Sequence, residues 1–220
     1  MIEKKITKIT FLLDKKNNWF EPYLNNFDMR SPTHIFKFRI SHDPEDIKEQ
    51  DIVFIIGYTQ ILSNLFLSCN VLNLVVHESN LPVGKGFAPV QWQILEGAHY
   101  IPMCLLEATN QVDSGDIVHR FGFELTGLEL YDEIRSKQGK ATIELIVRFL
   151  SIYPNFSREK QTGQETFYKR RGPIDGELDI DQTIREQFNL LRVGNNEQWP
   201  SYFIYEGKKY LVKIFRDKVQ

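Results

Sequence analysis

Cysteine is scarce. The 220 residues hold two, Cys69 and Cys104, and no CxxC spacing. That excludes a disulfide scaffold and a cysteine-built zinc site. Both lie in apolar stretches, Phe66-Leu67-Ser68-Cys69 and Pro102-Met103-Cys104-Leu105, as small buried hydrophobes of a reducing compartment do. No apolar run approaches the roughly 20 residues of a membrane helix. The start, Met1-Ile2-Glu3-Lys4-Lys5-Ile6, mixes acid and base where a signal peptide would be apolar. A cytoplasmic protein with no membrane partner is therefore expected. An excess of one charge is also missing: Lys plus Arg is 27 and Asp plus Glu is 29, for a net charge of −2. This excludes a general polyanion binder and leaves room only for a local basic patch. The phosphate loops GxGxxG and GxxxxGK[ST], the zinc motif HExxH and the serine elbow GxSxG are all absent. Nothing in the sequence calls for a metal.

What is present belongs to a globular domain, with 42% hydrophobic and 25% charged residues. Residues 6–13 (ITKITFLL) and 51–56 (DIVFII) are continuous apolar runs, expected as buried strands. His34–Ile40 alternates and predicts a half-exposed strand, and Val71–His77 a further buried one. Helices are expected over 19–27, from Ser41-His42-Asp43-Pro44, over 61–68 and over 89–97. Strands over 100–107 and 116–121 and a long helix over 128–153, broken near Gly139, complete the first part. This order implies an α/β fold: an open, mostly parallel sheet with helices on both faces. In such sheets ligands bind beyond the carboxyl ends of strands, which selects the exits at Gly57-Tyr58 and at His77.

Composition shifts after Tyr153. Residues 154–171 are polar and basic and are expected to form a linker or exposed loop. A helix over 184–191 and a hairpin turning at Glu206-Gly207 then predict a small C-terminal α+β subdomain. The expected division is residues 1–153 and 154–220. Arg192 is expected to tie the second part to the first through a carboxylate. His34, His42 and His99 are expected to be surface or packing histidines.

One stretch carries chemistry. His77 ends a buried strand and opens the punctuated loop Glu78-Ser79-Asn80-Leu81-Pro82-Val83-Gly84-Lys85-Gly86-Phe87-Ala88-Pro89. Asp113-Ser114-Gly115-Asp116-Ile117 follows on what is expected to be a neighbouring element of the same parallel sheet. A carboxylate beside an imidazole fixes its tautomer and makes it a better proton carrier.

These residues resemble the formyltransferases that use 10-formyltetrahydrofolate. Gly57-Tyr58-Thr59-Gln60-Ile61-Leu62-Ser63 resembles their pterin loop, and His77-Glu78-Ser79-Asn80-Leu81-Pro82 their HxSxLP element. Lys85-Gly86 with Pro89 and Ile94-Leu95-Glu96-Gly97 is similar to RGxxP…IxxG, and Asp113-Ser114-Gly115-Asp116-Ile117 to LDxGDI. The resemblance implies a Rossmann-like sheet and formyl transfer to an amine. His77 and Asp113 are then catalytic, the histidine shuttling protons and stabilising the oxyanion. Tyr58, Gln60, Ile61, Leu62, Thr109, Asn110, Gln111, Val112 and Asp116 are implied to meet the folate. Glu78, Ser79, Asn80, Lys85, Gly86, Phe87, Trp92 and Arg171 are implied to meet the acceptor.

One position departs from the family. Its asparagine, two residues before the histidine, is Val75 here. Loss of one oxyanion donor costs about 3–4 kcal/mol of barrier. Asn73, Ser79, Asn80 or a backbone amide are the candidate replacements. Lys169-Arg170-Arg171-Gly172-Pro173-Ile174-Asp175-Gly176 resembles the KRxPxDG element of sugar and tRNA formyltransferases. Residues 201–220 are too short for an RNA-binding domain, and the acidic balance disfavours a nucleic-acid partner. The resemblance thus implies a sugar N-formyltransferase of cell-surface polysaccharide (lipopolysaccharide) biosynthesis, acting on a nucleotide-linked amino sugar. A glycinamide ribonucleotide-type enzyme and a folate- or sugar-binding pseudoenzyme stay open. So does a homodimer through the C-terminal hairpin.

Overall fold

The computed structural model describes residues 4–25 and 27–217. In chain order the elements are β1 (Lys5–Leu13), α1 (Glu21–Leu24), β2 (His34–Ser41), β3 (Ile52–Ile56), α2 (Asn64–Ser68), β4 (Asn73–His77), β5 (Lys85–Gly86) and α3 (Pro89–Leu95). Then follow β6 (Tyr100–Glu107), β7 (Ile117–Glu124), α4 (Tyr131–Ile152), β8 (Phe167–Tyr168), α5 (Phe188–Arg192), β9 (Ser201–Tyr205) and β10 (Lys208–Val212). The main sheet has the order β2-β1-β3-β4-β6-β7.

The apolar runs become the central strands because both sheet faces are covered. Alternate residues of one strand point to opposite faces. Ile9, Phe11 and Leu13 of β1, Ile52, Phe54 and Ile56 of β3, and Leu74 and Val76 of β4 meet Ala141, Leu145, Ile146 and Phe149 of α4. Leu12, Val53 and Ile55 instead meet Ile47 and Phe66 on the other face. Val75 and His77 share this second face.

The expected mostly parallel sheet is found, with one consequence for the site. β2, β1, β3 and β4 are parallel, but β6 is antiparallel to β4 and β7 to β6. His77 and Asp113 are therefore not on neighbouring parallel elements. Glu107, which ends β6, pairs with Leu74 near the amino end of β4. The loop 108–116 must fold back along the sheet face to reach His77.

Several helices are shorter than the sequence implied. Residues 19–27 yield only Glu21–Leu24, and Asn26 lies outside the described residues. The expected helix after Ser41 is one 3-10 turn, Pro44–Asp46, capped by Asp43 accepting from the Glu45 N–H at 3.0 Å. The helix expected over 61–68 starts at Asn64, where Ser63 caps the Phe66 N–H at 3.2 Å. That expected over 184–191 is Phe188–Arg192. Helix α4 is unbroken at Gly139, which lies against the ring of Tyr23; a Cβ there would sit 2.4 Å from it. Cys104 is buried as expected, whereas Cys69 is half-buried. Among the described residues no helix is long and apolar enough to cross a membrane.

Residues 154–171 are largely exposed, as expected of a loop, but they are tethered. Glu159 bridges to Ile117, and β8 pairs in parallel with β5. The hairpin β9–β10 turns at Glu206-Gly207, both at positive φ.

Arg192 is buried, and its Nη1 lies 3.4 Å from the Glu129 carbonyl oxygen and 4.0 Å from Oε2. Burial alone would raise the Glu129 carboxyl. Hydrogen bonds from Lys137 Nζ at 2.7 Å and from the Thr126 N–H outweigh it and hold the group down at about 2. The folded-state value lies below the ordinary one, so this stabilisation is present above about pH 4.5 and is lost as pH falls toward 2. Its size is about 3 kcal/mol. Urea unfolding at pH 7, 4 and 2.5 should show that loss in the native protein. Glu129→Gln should be less stable at pH 7 and should lose less stability than the native protein across the same interval.

Candidate active site

His77 ends β4 with 5% of its surface exposed. Its Nε2 lies 2.8 Å from the Gly84 carbonyl oxygen. A carbonyl only accepts, so Nε2 carries the hydrogen and Nδ1 is the bare nitrogen of the neutral ring. Nδ1 faces Asp113 Oδ2 at 3.5 Å. Asp113 sits in the left-handed region at φ 49°, which aspartate tolerates better than most residues. Its Oδ2 also accepts from the Gly86 N–H at 2.8 Å. The ring thus has one fixed N–H and one bare nitrogen that faces a carboxylate.

The loop around this pair is held from a distant part of the chain. The Gly84 N–H donates to Thr166 Oγ1 at 2.8 Å, and the Lys85 N–H to the Thr166 carbonyl at 2.9 Å. Lys85, 1% exposed, donates from Nζ to Glu165 at 2.6 Å and to Ser114 at 3.1 Å. Gln161 Nε2 donates to the carbonyls of Asp113 and Gly115, each at 2.8 Å. Segment 161–168 therefore clasps both the loop that fixes His77 and the loop that carries Asp113. Glycines permit this closeness. At Gly86, φ is 99° and a Cβ would lie 2.5 Å from the Tyr168 carbonyl oxygen; at Gly115 it would lie 1.8 Å from that of Glu107. Sequence reading missed Gln161, Glu165 and Thr166 because they are isolated polar residues in a polar stretch. Only the lysine of Lys85-Gly86 hinted at a partner.

A cavity of about 580 Å³ opens over the pair, a size typical of small-ligand sites. Tyr58, Gln60, Ile61, Leu62, Thr109, Gln111 and Val112 line it, as do His77, Glu78, Gly86, Phe87 and Asp113. It runs down the sheet face over Ile55, Val75 and Leu106, because loop 108–116 folds back there. Asp14 shapes its rim by accepting from Thr59 Oγ1 at 2.5 Å and the Thr59 N–H at 3.3 Å. Burial raises the Asp14 carboxyl, but these bonds outweigh it and leave it lowered. An apolar floor between two loops fits a flat heteroaromatic ring such as a pterin, with loop backbone to meet its edge.

Seven implied residues do not line the cavity. Asn110 is exposed, and the Asp116 carbonyl is taken by the Glu107 N–H. Ser79 is 2% exposed with its carbonyl against Cys104. Asn80 holds Arg120, and Lys85 is engaged by Glu165 and Ser114. Trp92 stacks on Tyr168 and donates to the Lys169 carbonyl. Arg171 donates to the Asp175 carbonyl, and its guanidinium is lowered by burial although Asp175 opposes the shift. Among the residues not anticipated from the sequence that line it are Asn17, Trp19, Gln91, Glu107, Arg135 and Gln138.

Val75 lines the cavity where the family asparagine would stand. The suggested side-chain replacements do not. Asn73 is buried and donates to the Leu67 carbonyl at 2.9 Å, and Ser79 and Asn80 are placed as above. The site's remaining side-chain donor beside Asp113 is the Nδ1 of His77 once protonated.

The formyl transferase family model matches residues 40–150, just over half of the chain, and the chain belongs to that family. Methionyl-tRNA formyltransferase of Rickettsia canadensis is 30% identical over 174 residues, 74% of this chain and 54% of that protein. The chain spans about half the length of the curated relatives it matches. Among solved structures, methionyl-tRNA formyltransferase from Clostridium thermocellum superposes with a TM-score of 0.75 at 15% identity, covering 97% of this chain and 94% of that one. A 4-N formyltransferase from Francisella tularensis superposes with a TM-score of 0.71 at 20% identity, covering 97% and 99%. These likenesses show a shared fold.

The clasp is open to test. Thr166→Val removes the hydroxyl that receives the Gly84 N–H while keeping the side chain's shape. Turnover should fall about 10- to 100-fold with little change in KM, and Thr166→Ser should restore most of it. An equal loss in the serine variant, or a change in KM alone, would contradict the positioning role.

Proposed function

We propose that the chain is an N-formyltransferase that moves the formyl group of 10-formyltetrahydrofolate to the amine of an amino sugar, nucleotide-linked and destined for cell-surface polysaccharide such as lipopolysaccharide. The observation that carries the reading is the His77–Asp113 pair at the floor of the cavity, with Nε2 tied to the Gly84 carbonyl and Nδ1 left to work. In this reading residues 1–153 form the catalytic domain and 154–220 a small C-terminal subdomain. Likeness of fold along the whole chain to a 4-N formyltransferase from Francisella tularensis and to a sugar N-formyltransferase from Shewanella supports a small-molecule acceptor.

The cosubstrate supplies a formyl carbonyl activated toward amines. Tyr58, Ile61, Leu62 and Val112 would hold its ring against the sheet face. His77 Nδ1 takes the proton released as the acceptor amine attacks the formyl carbon and gives it to N10 of the folate as the N10–formyl bond breaks and tetrahydrofolate leaves. Asp113, held by the Gly86 N–H, stabilises the imidazolium. The protonated Nδ1 then becomes the donor to the charge that develops on the formyl oxygen, where Val75 offers none. The buried setting strengthens both effects by excluding water.

His77→Ala should lower formyl transfer about 10²- to 10⁴-fold with folate affinity little changed, and Asp113→Asn should act in the same direction. Transfer is read by mass as the gain of one formyl group on amino sugars, nucleotide-linked amino sugars and glycinamide ribonucleotide. Undiminished turnover in His77→Ala would sink the assignment. A wild-type protein that binds folate but formylates none of these amines would be a pseudoenzyme, for which Val75 is the specific reason. Glycinamide ribonucleotide as the preferred acceptor would overturn the sugar reading alone.

A further inference from the structure

Five ionisable side chains line the cavity besides tyrosine: His77, Glu78, Glu107, Asp113 and Arg135. Three have opposite charges at hand. Asp113 faces His77, and Glu107 accepts from Arg158 Nε at 2.8 Å. Glu78 and Arg135 do not: among the described residues neither takes part in an ion pair within 4.0 Å. One buried amide keeps them apart. Gln138, 3% exposed, accepts from Arg135 Nη1 at 2.9 Å and donates from Nε2 to Glu78 Oε1 at 2.5 Å. A guanidinium only donates and a carboxylate only accepts, so the orientation of this amide is fixed.

The guanidinium is built into the wall. It lies 4.8 Å from the ring centre of Trp19 and 5.4 Å from that of Tyr131, and Nε donates to the Tyr131 hydroxyl at 3.1 Å. Two of its five N–H groups are thus engaged within the protein. The planar fork that remains suits a two-oxygen anion. Glu78 follows His77 in the chain and lines the same cavity as the imidazole that handles the acceptor's proton. An acceptor bearing a positive amine at one end and an anionic group at the other would neutralise both charges.

We propose that Glu78 and Arg135 select a zwitterionic acceptor: Glu78 receives the amine beside His77, and Arg135 binds a phosphate ester or carboxylate of the same molecule. This rests on the formyl-transfer reading for the role of the amine. The anion site itself rests on the placement of Arg135, Gln138 and Trp19.

Two measurements decide it. In the first, tryptophan fluorescence is followed while inorganic phosphate or acetate is added, since Trp19 lies under the guanidinium. A saturable change with at least one of them is expected, weakened about tenfold or more in Arg135→Met and partly restored in Arg135→Lys. In the second, formyl transfer is compared among glucosamine, glucosamine 6-phosphate and 2-amino-2-deoxygalacturonate. The preferred anionic acceptor should have a kcat/KM about 10- to 100-fold above glucosamine, and that ratio should collapse in Arg135→Met. Whether the phosphate or the acid is preferred identifies the source of the anion. No saturable anion binding, or a ratio the substitution leaves intact, overturns the proposal. If neither these amines nor nucleotide-linked amino sugars are formylated while anion binding depends on Arg135, the formyl-transfer reading fails and the anion site stands.

Discussion

The hydrogen bond from His77 Nε2 to the Gly84 carbonyl sets the chemistry of the cleft. It consumes one ring nitrogen and so leaves the other for proton transfer. Gly84 is placed in turn by Thr166, and Asp113 by Gly86 and Gln161. Each link is a backbone group meeting a donor or acceptor of fixed direction, which makes the pair rigid without a metal ligand in its path. Loss of any link would leave a buried polar group unmatched, and such groups are costly.

The sheet explains where the cavity lies. Were all strands parallel, the loop after β6 would leave at the same edge as His77. The reversal of β6 sends it out at the amino end of β4 instead, and it returns along the face. The return covers Val75 and Leu106 with loop backbone and turns an edge crevice into a trough. A flat ring can lie in such a trough with its reactive substituent toward His77. The walls at Trp19, Arg135 and Gln138 then bound the space left for an acceptor.

Membership of the formyl transferase family and the replacement of its asparagine by Val75 pull in different directions. The family's fold is kept across relatives only 13–20% identical in sequence. Its electrostatic complement is not kept in full. The cavity retains an imidazole, a carboxylate and a bounded shape, while the side chain at position 75 offers no hydrogen bond.

Much of the fold was legible in the chain because it depends on local pattern. Short continuous apolar runs bounded by turns favour strands covered on both faces, and Ile52–Ile56 and Asn73–His77 are such strands. The meeting of His77 and Asp113 at one cavity was legible because their spacing and turn glycines are local, and Arg192 because a lone arginine in an apolar helix needs a carboxylate. Helix lengths were less legible, since tertiary packing decides how far a short amphipathic stretch stays helical. What the chain could not disclose was which distant segments meet. The reversal of β6, the clasp of 161–168 on the catalytic loop, the diversion of Lys85 to Glu165 and the amide that parts Arg135 from Glu78 all join residues remote in sequence. Each arises from the direction of backbone groups in space, which no spacing along the chain encodes.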